Sequence, residues 1–405
     1  MINAPIYSAW FNRFQVFDAD AQHLFFRDWL NPRTRLLDRT LFSQLDGLAL
    51  QQAYMQKGFM SASLSAFEHP IHDLPSDKND FLFWQYPCRT EGSAWQRHAE
   101  LAEPVLVDGN MHIYLGLPWA TWIDCSRKKT WGEFGEGIVL RQLQTLRLQM
   151  HGWQMVLQEL GLKLRVHTVC QHIYWRDMCQ IWRDVGVTDV WVSHCPNGKL
   201  LPASDSLQIH PWALYAVNLQ DNARRVGMIV GKDPANKSIL ASFVGAYTTG
   251  YLSDARLRLL NFAHEPDFVV RVNGKWHFED IVYKQQIARE DITTTATLDD
   301  SVESYNRVLS DSIFSLCPSG TGPNTLRLWE SLAVGAIPVL FGPEARMPIG
   351  GNLAPIDWDS ILLRIPEQQF DDLPRILRNM KMTEIRQRQQ AGMQAFAQVA
   401  QQRCF

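Results

Sequence analysis

The chain has 405 residues, 46% of them hydrophobic and 20% charged, enough to bury a sizeable core as one large domain or two ordinary ones. A net charge of −3 with no long basic run excludes a nucleic-acid binder that works through a general positive field. No apolar run approaches the ~20 residues that span a bilayer, the first residues do not read as a signal peptide, and seven scattered cysteines without a CxxC read as reduced thiols, hence a cytoplasmic protein.

In chain order, residues 6–11 read as a first strand, 50–60 as a helix, 68–80 as a polar loop and 81–84 as strand-like. Residues 105–107 and 112–115 read as further strands, and 117–124 as an aromatic loop. Three glycines within 131–137 predict a loop bordering a cleft. Apolar residues at helical spacing then predict a helix over 139–160, stopped by Gly161. A strand at 164–170, a helix at 175–185 stopped by Gly186 and a strand at 189–193 make a βαβ unit, and so a parallel sheet. His172 and His194 follow two of those strands and should sit at the ligand-facing edge. Residues 231–237 form the best linker, after which 239–245 opens a second sheet. A helix at 253–260, a strand at 268–271 and a helix at 302–310 follow, and two amphipathic helices close the chain.

The most informative stretch is 311–342. A short β-prone run at 313–316 ends at Pro318; residues 319–325 are small turn formers; apolar residues at 326, 329 and 333 mark a helix; Gly335 stops it before a buried strand at 337–341. Such a unit presents free backbone N–H groups and the positive helix end at the carboxyl edge of a parallel sheet, a ready site for phosphate. The fold class predicted is α/β: two Rossmann-like parallel-sheet domains facing a cleft, with C-terminal helices packing back, the layout named GT-B. Residues 1–225 would form the acceptor-side domain and 226–405 the nucleotide-sugar domain with its closing helices.

The run from Tyr305 to Phe341 resembles the C-terminal signature of exostosin-like glycosyltransferases. Matching parts are the Cys317-Pro318-Ser319-Gly320 turn, Arg327 and Glu330 at the helix start, Gly335 and the Ile337-Pro338-Val339 strand. Residues 237–260 are similar to the same group's Phe-x-Gly…Arg-x-x-Leu segment, here Phe243, Gly245, Arg256 and Leu259. Size and layout also look like the bacterial retaining β-Kdo transferases of lipopolysaccharide synthesis. These resemblances imply a glycosyltransferase moving Kdo from CMP-β-Kdo with retention to a lipopolysaccharide, O-antigen or capsule acceptor. The alternatives are an exostosin-like transferase using a UDP-sugar and a non-catalytic nucleotide- or glycan-binding module of a larger synthase. Partners would be the nucleotide sugar and the glycan, not nucleic acid, with peripheral attachment to the inner face of a membrane through a partner or further module left open.

Under that reading the donor phosphate would be held by Ser319, Gly320, Thr321, Gly322, Asn324 and Thr325. Arg327, a cation in the first helical turn, opposes the helix dipole and needs an anion to justify it; Glu330 would accept from ribose hydroxyls. A retaining transfer can run through a carboxylate nucleophile, and Asp233, in the linker beside Lys232, is the candidate that the β-Kdo resemblance favours. His172, His194 and Glu159 are candidates for the general acid or base, with His210, His264, Glu133 and Glu136 behind them. No Asp-x-Asp pair stands near the turn and no His/Cys metal spacing appears, so no cofactor beyond the donor and no metal is expected.

Overall fold

The computed structural model describes residues 85, 88–99, 105–128, 147, 151, 154, 158, 161–198, 206–274, 296–342 and 344–405. The elements expected at 6–11, 50–60, 68–80, 81–84 and 131–137, and nearly all of the helix at 139–160, lie outside the described residues, as do Glu133, Glu136 and Glu159.

The first half is built on a five-stranded sheet in the order β1-β2-β3-β4-β5. Its strands are β1 (Val105–Val107), β2 (Asn110–Tyr114), β3 (Lys163–Cys170), β4 (Asp189–Val192) and β5 (Gln208–Pro211). Only the β1–β2 pair is antiparallel. β3 and β4 are buried nearly throughout, as expected of central parallel strands covered on both faces. Helix α1 (Thr90–Ala99) and helix α2 (Trp119–Lys128) pack here, and helix α3 (Cys179–Val185) ends at Gly186, whose φ of 92° is the left-handed stop the sequence signals.

Residues 119–128 depart from the expected loop. Their helix buries everything from Trp119 to Cys125 and starts where Glu91, 29 positions earlier, accepts the Ala120 N–H. A cap supplied from so far away leaves no local trace.

The segment after β5 carries helix α4 (Val217–Gln220), and the chain then enters the second sheet, whose strands are all parallel. These are β6 (Ile239–Ala246), β7 (Phe268–Asn273), β8 (Ser312–Pro318), β9 (Ile337–Phe341) and β10 (Leu363–Ile365). Helices α5 (Ala255–Arg258), α6 (Ala296–Asp311), α7 (Leu326–Val334), α8 (Leu373–Arg378) and α9 (Met382–Val399) accompany them. The spatial order is β10-β9-β8-β6-β7. From β6 the chain adds β7 on one side, then returns to the other side of β6 and adds β8, β9 and β10 in turn, so the order reverses between β6 and β8. In open parallel sheets, ligands bind beyond the carboxyl ends of the strands at such a switch point.

α7 buries Leu328, Trp329, Leu332 and Ala333 against α9, and Gly335 ends it at φ 81°. The halves are joined on several sides. Pro196 and Ala345 form an antiparallel bridge, the Arg346 N–H donates to Cys195 O at 2.7 Å, and Asn324 Nδ2 donates to Ser193 O at 2.7 Å. Beyond α9 the chain crosses to the first half, where Cys404 and Phe405 pack with Tyr114, Trp191 and Trp212.

Candidate functional site

The carboxyl edges of the two sheets face one cavity of about 460 Å³. The first half contributes Gln171, His172 and Ile173 beyond β3, and His194 beyond β4; the second contributes the end of β6, the turn after β8 and the start of α7.

The turn is partly committed to itself. Gly320 N–H donates to Gly322 O at 3.0 Å and Thr325 N–H to the Asn324 side chain at 2.8 Å. Among the described residues the N–H groups of Thr321 and Gly322 have no acceptor, and Thr325 makes no side-chain cap on α7, so the helix start remains open to an anion. Asn324 also serves an end that the sequence does not announce. It is 5% exposed, its Nδ2 is spent on Ser193 O, and its Oδ1 accepts from Trp329 Nε1 at 3.0 Å. Its side chain clasps the two halves together, with one amide N–H committed to that bond. Ser319 is buried, with its hydroxyl 3.4 Å from that of Ser253.

Two arginines flank the turn. Arg327 donates to Val244 O and, at 3.4 Å, to Leu316 O, with its guanidinium 4.3 Å from the Phe243 ring centre. Arg256 donates to Ser319 O at 3.0 Å and Ala246 O at 2.6 Å, and lies 4.6 Å from the Tyr251 ring centre. Burial, and next the charge of Arg327, lower the Arg256 pKa to about 10, so it keeps its charge at neutral pH. Neither arginine forms a salt bridge among the described residues; both rest on strand-end carbonyls and aromatic faces. Glycines make this possible. A Cβ on Gly245 would lie 2.9 Å from Arg327 Nη2, and one on Gly320 would lie 2.9 Å from Arg256 Nη2. The Phe-x-Gly and Arg-x-x-Leu pieces of the sequence signature thus meet the turn in one cation-bearing wall.

Glu330 is 3% exposed; it accepts from Tyr305 Oη at 2.7 Å and from the Asn218 N–H at 3.1 Å, and burial raises its pKa. The Arg327 guanidinium is 5.7 Å from the Tyr305 ring centre, so the tyrosine links the two expected donor ligands.

On the facing wall, His172 Nε2 stands 3.5 Å from Asp124 Oδ1, and Gln85 Nε2 donates to the other Asp124 oxygen at 2.5 Å. Gln171 Nε2 donates to Gln85 Oε1 at 3.2 Å, and its own Oε1 accepts the N–H groups that open α1. Sequence reasoning missed Asp124, which lay inside the presumed loop, and gave Arg256 no role beyond its motif.

The structure does not bring Asp233 to the cleft. It caps the short turn at Pro234–Asn236 through the Ala235 N–H at 2.8 Å and pairs with Arg386 of α9 at 3.2 Å, on the surface. A nucleophile has to reach the anomeric carbon, and this carboxylate is turned to a helix instead. His210 meets Asp189 at 2.9 Å at the β4–β5 pair, away from the cavity lining, and His264 is exposed beside Glu265. Among the described residues no group of three or more His, Cys, Asp or Glu side chains could hold a metal, and no helix is long and apolar enough to cross a membrane.

Comparison with known proteins finds likenesses to part of the chain. Residues 200–380 match the model of the exostosin GT47 domain, so the second half is exostosin-like, the class of glycosyltransferase domain its motifs resemble. Among individual relatives, the chain is similar to a probable glucuronoxylan glucuronosyltransferase, IRX7, of Arabidopsis thaliana: 32% identical over 81 residues, 20% of this chain and 17% of that protein. It is also similar to the probable glucuronosyltransferase GUT1 of Oryza sativa subsp. japonica, 30% identical over 92 residues, 23% of this chain and 21% of that one. The matched stretch therefore spans about a fifth of such relatives. The crystal structure of the GtfA/B complex aligns over 64% of this chain and 58% of its own, at 11% identity and a TM-score of 0.33, too loose to argue from.

Proposed function

We propose that the protein is a glycosyltransferase that moves a sugar from a nucleotide-activated donor to a glycan acceptor. The observation that carries the reading is the pair of arginines, Arg256 and Arg327, without a salt bridge among the described residues, beside a helix start with no side-chain cap at the switch point of the second sheet. Two cations and a helix end fit two adjacent negative groups. A nucleoside diphosphate supplies both, and the names of the relatives make glucuronosyl the first sugar to try.

The acceptor hydroxyl would bond through its oxygen to the anomeric carbon, giving up its proton to water, as the bond to phosphate breaks. The departing phosphate takes the electron pair, and its charge falls on Arg256, Arg327 and the first turn of α7. Glu330, held by Tyr305 and Asn218, faces the same cavity and supplies a carboxylate for vicinal ribose hydroxyls.

CMP-Kdo, the donor implied by the second resemblance, would offer one phosphate and one carboxylate to the same cations, and the lipopolysaccharide acceptor and membrane face belong with that donor. Turnover with UDP-glucuronic acid and with CMP-Kdo, measured side by side, separates the two. Arg256→Ala is expected to weaken nucleotide binding by at least about tenfold, because it removes a charge-assisted hydrogen bond to phosphate. Unchanged binding would sink the reading of this wall as the donor site.

A further inference from the structure

The two histidines at the strand ends of the first half differ in what they have left to offer. His172 is engaged on both sides of its ring: Nδ1 accepts from the Tyr174 N–H at 3.1 Å, and Nε2 faces Asp124 at 3.5 Å. His194 lines the same cavity, yet its Nδ1 is buried with no partner. That nitrogen packs over Gly322, where a Cβ would lie 2.3 Å from it and 2.7 Å from Ile173 Cγ2. The residue as a whole is half-buried and lines the cavity, and no hydrogen bond to Nε2 is present among the described residues. Burial, and next the neighbouring His172, push the imidazole well below its usual pKa, so it stays neutral. A polar nitrogen left unpaired on a cavity wall is completed by a ligand or by water.

The group that completes it follows from position. The 320–322 turn faces the donor phosphates in the reading above, and the sugar hangs from the outer phosphate. Across that turn, in contact with Gly322, the first half presents His194. We propose that His194 is a specificity-determining residue that hydrogen-bonds a hydroxyl of the donor sugar through Nε2. Gly322 lets the ring seat there. The proposal rests on the donor-site reading, and its role is orientation of the sugar rather than proton transfer.

The test is calorimetric titration of the full chain with UDP and with UDP-glucuronic acid. His194→Phe keeps the ring and its packing but removes both nitrogens; His194→Gln returns a polar group near the Nε2 position. Wild-type protein is expected to bind the sugar nucleotide more tightly than UDP. In His194→Phe that advantage should fall by roughly tenfold, the worth of one hydrogen bond, with UDP affinity unchanged. His194→Gln should recover part of it. An undiminished advantage in His194→Phe, equal affinity of the wild type for the two ligands, or equal weakening of both ligands would overturn the assignment while leaving the donor site standing. Wild-type protein that binds neither would defeat the donor-site reading, and this one with it.

Discussion

Replacing Glu91 tests the electrostatics of the first half. The side chain is 2% exposed at the head of α1, its oxygens 3.1 and 3.2 Å from the Ala120 N–H, one of them 2.9 Å from the Gln171 N–H. Burial outweighs these donors and raises the carboxyl from 4.5 to about 8. The folded chain then holds a proton that the unfolded chain gives up. The stability this contributes is complete below about pH 4.5 and is lost as pH rises through about 8. The difference, 8 − 4.5 = 3.5 units at about 1.36 kcal/mol each, sets a ceiling of about 5 kcal/mol on that loss. Glu91→Gln keeps a carbonyl for both N–H groups and cannot ionise. Urea unfolding of wild type and variant at mildly acid and mildly alkaline pH should show the variant gaining on the order of 3 kcal/mol relative to wild type across that interval. A difference that stays constant with pH would refute the claim that Glu91 is protonated at neutral pH in the folded protein.

Other outcomes follow from the same geometry. Burial holds His98 and His167 at about 3, so below pH 6.5 the unfolded chain takes up protons that the folded one refuses. Stability should fall towards acid by at most about 3 kcal/mol per pH unit from this pair, and His98→Gln should flatten a denaturation series over that range. Asn324→Ala removes the bond to Ser193 and leaves Trp329 Nε1 without its partner, a loss of about 2 kcal/mol readable as a lower urea midpoint. Asp233→Asn should transfer sugar within about twofold of wild type, since it alters an exposed cap and an ion pair only; abolished turnover with intact nucleotide binding would return that carboxylate to the mechanism.

What could be read from sequence was whatever is encoded over a few neighbours. The strand, turn, helix and glycine stop from β8 to β9 stand where the pattern of small and apolar residues puts them, and Gly186 and Gly335 end their helices as their position announces. Contacts between distant segments were not legible. α2 looks like a loop until Glu91 is placed at its first N–H groups. Arg256 looks like a surface residue of a short helix until the ends of β6 and β8 converge on it. Asn324 reads as one more turn former, because the carbonyl it holds belongs to the other half. Asp233 was placed by the reasoning that a linker borders a cleft, but α9 covers that part of the linker and takes the carboxylate for Arg386.

The passage of the chain beyond α9 into the first half bears on how the molecule can be divided. Cys404 and Phe405 complete a hydrophobic cluster whose other members lie on α1, β2, β3, β4 and the segment after β5, and Cys404 N–H bonds His98 Nε2 at 2.9 Å. α9 in turn covers Leu332 and Trp329 in the second half. A fragment trimmed to the family-matched residues 200–380 stops just short of α9. It would bare the core that α9 covers and leave out nearly all of the first half. The region of shared ancestry is therefore smaller than the cooperative folding unit, and the two halves should melt together in a single transition.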